Sequence, residues 1–137
     1  MTAKPVPRPT EISRPYWEAA RQGALQLQRC LACRGWVHYP RRWCPRCWST
    51  SLEPADAAGT GTVVSYTIVH QAPEESFAAD LPYVLAIVQL TEGPTMLANI
   101  IGADALAVAI GDPVRVRFED RGSGVVVPQF ERSAGAG

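Results

Sequence analysis

The chain has 137 residues, 47% of them hydrophobic, with 13 basic and 13 acidic side chains and a formal net charge of zero. That is the size and balance of one or two small globular domains, not of a fibrous or disordered chain. No apolar run nears the roughly 18 residues that span a bilayer, and "MTAKPVPRPTEISRP" lacks the apolar stretch of an export signal, so the expectation is a soluble, cytoplasmic protein with no membrane partner.

The zero net charge conceals two unlike halves. Residues 1–53 hold nine basic residues against three acids, and residues 54–137 hold four against ten, so the halves carry +6 and −6. All four Trp lie between positions 17 and 48, while the second half is rich in Val and Ile. Both shifts place a boundary near "EPADAAG" (53–59). Two modules are expected, 1–53 and 54–137.

"SRPYWEAARQG" predicts a short helix. Ser13 or Arg14 stands near the N-cap, Pro15 falls in the first turn, Arg21 comes late, and Gly23 is the stop. About two turns cannot persist alone, so the helix is expected to dock through Tyr16, Trp17 and Ala20. "ALQLQRC" then alternates Leu25, Leu27 and Arg29 as a strand.

That strand enters "CLACRGWVHYPRRWCPRC", which holds every cysteine of the chain. Cys30, Cys33, Cys44 and Cys47 form two CxxC pairs ten residues apart. Four soft thiolates suit tetrahedral zinc. A disulfide framework wants an oxidising compartment, and a thioredoxin-like site needs one pair, not two. Iron in a rubredoxin-like centre fits the same ligands. Four thiolates leave no open position for water or substrate, so the metal is expected to be structural. Binding energies of about 10–16 kcal/mol for small zinc modules would fold a segment too short to make a core.

Trp36, Arg41, Arg42, Trp43, Arg46 and Trp48 crowd the same stretch. The plain reading is that the tryptophans cover the ribbon and the arginines are solvated. The sharper reading is contact with a partner protein or with the phosphates of a ligand, since Arg forks match phosphate and Trp and Arg dominate interface hot spots. The residues taken as candidates for that contact are Trp17, Trp36, Arg41, Arg42, Trp43 and Arg46.

In the second half, "GTGTVVSYTIVHQ" (59–71), "PYVLAIVQL" (82–90) and "TMLANII" (95–101) read as strands. "GADALAVAIGD" (102–112) reads as a short helix or helical turn. "PVRVRFED" (113–120) and "VVVPQFER" (125–132) complete five strands. A helical link between the third and fourth strands selects an OB-fold barrel over an SH3-like one. The predicted fold is mainly β: a short N-terminal helix and zinc ribbon, then a five-stranded OB barrel.

No catalytic set is legible. His38 lies between the knuckles, His70 ends a strand, and Glu74–Glu75 reads as a solvated loop. A non-catalytic subunit is therefore expected, with no catalytic residues of its own. A small nucleic-acid-binding module is the alternative, but an OB half carrying −6 works against it.

The helix, the ribbon "RCLACRGWVHYPRRWCPRCWS", "GTGTVVSYTIV" and "AIGDPVRVRFED" together resemble the rubredoxin-like zinc-ribbon and OB-fold family that accompanies thiolases, long known as a domain of unknown function. The likeness covers about residues 10–132. Its most specific part is Tyr39-Pro40-Arg41 followed by Cys44 to Cys47. The resemblance implies a thiolase-superfamily enzyme or an acyl-CoA hydratase as partner, with a CoA thioester as ligand of the pair. It extends to retro-aldolase complexes of steroid and lipid breakdown.

Overall fold

Pro15 and Gly23 bracket the first element of the computed structural model, which describes residues 4–122 and 124–133. Helix α1 runs Arg14–Arg21. Ser13 holds the N-cap position, but its hydroxyl turns away from the helix. It accepts from the Thr10 N–H at 2.8 Å, and the Ser13 N–H donates to Thr10 Oγ1 at 3.1 Å. At the other end Gly23 takes φ +82°, the left-handed conformation that glycine reaches without penalty. Gly23 N–H donates to Ala20 O and Ala24 N–H to Ala19 O, a Schellman stop. The helix buries Tyr16, Ala19 and Ala20.

β1 (Gln26–Cys30) is the centre of a three-stranded antiparallel sheet, flanked by β2 (Trp36–Val37) and β3 (Leu52–Asp56). Residues 53–56, at the boundary expected near 53–59, belong to strand β3. Gln26 to Cys30 pair with Asp56 to Leu52 in an unbroken register. The outer edge of β3 carries exposed Glu53, Pro54 and Asp56, residues that discourage strand addition. The chain crosses to the barrel at Ala57–Gly59, where the Ala57 N–H donates to Leu25 O at 2.8 Å.

β4 (Thr60–Val69), β5 (Tyr83–Leu90), β6 (Thr95–Ile101), β7 (Pro113–Asp120) and β8 (Val126–Arg132) close a barrel in the order β4-β5-β6-β8-β7. Every junction is antiparallel except β6–β8, which is parallel over Ile100↔Phe130 and Ile101↔Glu131. This is the OB arrangement. The link between β6 and β7 holds one 3₁₀ turn at Ala105–Ala107, and a second 3₁₀ segment, Glu75–Asp80, spans the β4–β5 connection. Gly61 sits where β4 presses on β5; a Cβ there would lie 2.6 Å from Gln89 O. Only glycine fits that approach.

The β6–β8 ladder is short, and side chains extend it. The Asn99 N–H donates to Gln129 Oε1 at 2.9 Å, Gln129 Nε2 donates to Asn99 Oδ1 at 3.1 Å, and Asn99 Nδ2 donates to Val84 O at 3.0 Å. Two residues earlier, the Leu97 N–H donates to Tyr39 Oη of the ribbon at 3.0 Å.

One hydrophobic cluster unites the two modules. Tyr16, Leu25 and Leu27 join Val63, Val84, Val88, Leu90, Val114 and Phe130 of the barrel, with Trp17 and Trp36 packed against them. The ribbon's own cluster is only Cys30, Val37 and Cys44, with Leu52 at its side. Burial of so little apolar surface cannot hold the knuckles, so their order depends on what the thiols bind.

Candidate metal centre and ribbon surface

Cys30 ends β1, and the chain turns at once so that Cys33 returns beneath it; Cys44 and Cys47 repeat the turn from the opposite side. The sulfurs pair across the two knuckles, Cys30 Sγ with Cys47 Sγ at 3.5 Å and Cys33 Sγ with Cys44 Sγ at 3.7 Å. All four lie within 4.8 Å of one another. A tetrahedron with Zn–S bonds of about 2.3 Å needs sulfurs about 3.8 Å apart, so the four thiols fit the ion as they stand. Cys30 and Cys44 are buried and Cys33 and Cys47 exposed.

The knuckles favour the thiolate at Cys30 and Cys44, whereas Cys47, although the Ser49 N–H lowers it, is pushed up to about 11 by the neighbouring thiols and burial. The Cys33 N–H points at Cys30 Sγ from 3.4 Å. That N–H is the main cause holding the Cys30 thiol down at about 6, against the opposing effect of burial. The N–H groups of Cys47 and Arg46 lower Cys44 in the same way. Metal binding requires the deprotonated form. Bound zinc supplies a cross-link between the two knuckles and has no open coordination position. This is a structural zinc site.

The residue after each knuckle is left-handed: Arg34 at φ 63° and Trp48 at φ 65°. A bulky side chain in that region is costly. Trp48 bears the cost while 75% exposed.

The candidate contact residues divide into two groups. Trp17 packs edge-on to Tyr16 at 4.9 Å and lies against the core. Trp36 carries the Arg29 guanidinium 4.9 Å over its ring, and Arg46 Nη2 donates to Trp36 O at 2.7 Å. Arg46 crosses Gly35, where a Cβ would collide with its guanidinium. Trp17 and Trp36 lie against the shared core, and Arg46, itself exposed, ties the second knuckle to Trp36. Arg41, Arg42 and Trp43 instead project from an exposed loop. Arg42 comes within 3.9 Å of Glu11, both of them exposed. The loop backbone is held by Gln28, whose Oε1 accepts the Arg41 N–H at 2.8 Å and whose Nε2 donates to Arg41 O at 2.9 Å. Nothing in the sequence marks Gln28 for this role; its partner lies 13 residues away.

His38 is a packing residue. Its ring lies 4.0 Å from Tyr39 and 5.6 Å from Tyr16, and neither nitrogen has a hydrogen-bond partner among the described residues. Burial lowers it to about 4, which keeps the imidazole neutral. His70 is exposed just beyond β4, and Glu74 and Glu75 are exposed at the start of the 3₁₀ segment. No helix among the described residues is long and apolar enough to cross a membrane.

Fold and site together define a rubredoxin-like zinc ribbon mounted on an OB barrel. A family model described as the ChsH2 rubredoxin-like zinc ribbon domain matches residues 17–53, and one described as the ChsH2 C-terminal OB-fold domain matches residues 55–119. The chain belongs to this ChsH2, or DUF35, family. It is 39% identical over 115 residues to a probable enoyl-CoA hydratase alpha subunit of Thermomonospora curvata, covering 84% of this chain and 35% of that one. The chain thus spans about a third of that relative's length. It is 38% identical over 104 residues to a DUF35 domain-containing scaffold protein of Methanocaldococcus jannaschii, 72% of each chain. Among solved structures, the Ltp2-ChsH2(DUF35) aldolase superposes with a TM-score of 0.81 at 36% identity, covering 92% of this chain and 98% of that chain.

Proposed function

We propose that this chain is a non-catalytic accessory subunit that binds an acyl-CoA enzyme of thiolase-like kind, a thiolase or retro-aldolase of lipid or steroid breakdown, and helps organise its acyl-CoA site. The observation that carries this reading is the superposition on a chain of the Ltp2-ChsH2(DUF35) aldolase, which extends over 98% of that chain. A hydratase alpha subunit and a scaffold protein among the relatives support the same role.

The site inventory agrees with it. The four thiols close a metal shell, His38 is packed and neutral, and Arg41, Arg42 and Trp43 are exposed on a loop fixed by Gln28. An accessory subunit acts by holding its partner's reacting groups in productive geometry, where displacements of about 1 Å matter greatly. The nucleic-acid reading lacks its footprint, because β4, β5 and β6 of the barrel contain no Lys or Arg to meet phosphates.

The test is turnover of a β-hydroxyacyl-CoA by this chain, by the Ltp2 subunit, and by both together. Activity only in the mixture is expected. Turnover by this chain alone, abolished by His70→Ala, would make it an enzyme and end the accessory reading.

A further inference from the structure

The two sides of the barrel differ in charge. β7 and β8 carry the ordinary solvated pattern: Arg115 pairs with Glu131 at 2.9 Å and Arg117 with Glu131 at 3.6 Å. β4, β5 and β6 contain no Asp, Glu, Lys or Arg at all. The register defines what their outer face presents. Thr62, Gln89 and Thr95 form one cross-strand row, and Ser65, Ile87 and Leu97 form the next. Val64, extruded at the bulge between Val63 and Ser65, is 45% exposed. Ile87 and Leu97 are 40% and 54% exposed. The outer face of a solvated antiparallel sheet is normally polar and charged, whereas depletion of charge marks the core of a protein interface.

This face is continuous with the ribbon loop. Tyr39, half exposed, accepts from the Leu97 N–H, and Arg41, Arg42 and Trp43 follow it after Pro40. The result is an uncharged patch with a cationic, aromatic border on one side.

We infer that the outer face of β4–β5–β6, with Tyr39, is a docking surface for the acyl-CoA enzyme subunit. The occupant is a flat, uncharged protein surface edged by carboxylates where it meets Arg41 and Arg42. This rests on the accessory reading above. Charge complementarity argues against a second copy as occupant. A two-fold contact would bring together only this face and its border; β4–β6 offer no carboxylate to the arginines, and Glu11, the acid beside the border, already faces Arg42 of its own chain.

The experiment measures binding of the Ltp2 subunit to the intact chain, to Leu97→Arg, to Ile87→Lys and to Arg117→Glu on the opposite side, with sedimentation of each protein alone. Both altered positions are solvent-exposed, and unchanged melting and zinc content check that the variants fold. The expected result is binding weakened about tenfold or more by Leu97→Arg and Ile87→Lys, and unchanged by Arg117→Glu. Equal binding by all four proteins would overturn the surface and leave the accessory reading standing. No binding by the unaltered chain would overturn both. Self-association of the unaltered chain, lost in Leu97→Arg, would make the occupant a second copy and overturn the inference.

Discussion

Tyr39 and Leu97, 58 residues apart in the chain, share a hydrogen bond of 3.0 Å in which the strand's N–H donates to the phenol oxygen. It is the side-chain link by which the ribbon occupies the open part of the β6 edge, next to the Asn99–Gln129 amide pair. Tyr39→Phe should cost about 1 kcal/mol, the typical worth of one such bond. Amide exchange at Leu97 should quicken. Gln129→Leu should cost more, about 2–3 kcal/mol, because Gln129 is buried and its loss strands the Asn99 N–H and carbonyl. Denaturant titration of both variants checks the order; a Tyr39→Phe protein with unchanged exchange at Leu97 would show that the bond is not formed in solution.

His38 makes stability depend on pH. Its ordinary value of 6.5 is lowered to about 4 by burial. The unfolded chain therefore binds this proton more readily than the folded one, and acid favours unfolding. The contribution is fully present above pH 6.5, falls between 6.5 and about 4, and is lost below that. Its full size is about 3 kcal/mol. Subtracting the pH profile of His38→Phe from that of the unaltered protein should isolate the slope in this window. Parallel profiles would mean that His38 is protonated as easily folded as unfolded.

The barrel strands were legible because their signals are local. Alternation in "PVRVRFED" and the turn "TEGP" mark β7 and the β5–β6 hairpin without knowledge of their partners. Gly23 was legible as a helix stop for the same reason, since the left-handed conformation belongs to the residue itself. β3 was not legible. "LEPAD" is polar and holds a proline, and it is a strand only because β1 lies beside it. The metal centre could be read from four cysteines, but the division of the aromatic and basic cluster could not. That Arg46 braces Trp36 rests on a bond to a backbone oxygen ten residues away, which no local pattern announces.

Zinc should hold the ribbon, and the shared core should carry the effect further. One zinc per chain is expected in metal analysis of the purified protein. Cys44→Ser removes one of two buried ligands and breaks the 3.7 Å contact with Cys33. Amide protection should then fall across residues 26–56. It should also weaken in the barrel, because Leu25 and Leu27 belong to the barrel's cluster. Full protection of residues 26–56 in the presence of a chelator would sink this prediction.

Arg41 and Arg42 should govern the rate of association more than its strength. Gln28 fixes the backbone of Arg41 through both of its amide atoms, so the two guanidinium groups are held out from a fixed loop. Among the described residues Arg42 has only a long, exposed contact with Glu11. Exposed charges of this kind steer encounter and are screened by salt, over a Debye length of about 8 Å at physiological ionic strength and about 3 Å at 1 M. Arg41→Glu with Arg42→Glu should slow association with the acyl-CoA enzyme subunit and flatten its dependence on salt. Gln28→Ala should leave the charges in place but free the loop, so it should raise the dissociation rate with little change in the salt slope. Stopped-flow binding at several salt concentrations separates the two effects. If the double charge reversal associates as fast as the unaltered chain, the arginines are a solvated face, and contact falls to Tyr39, Trp43 and the uncharged strands.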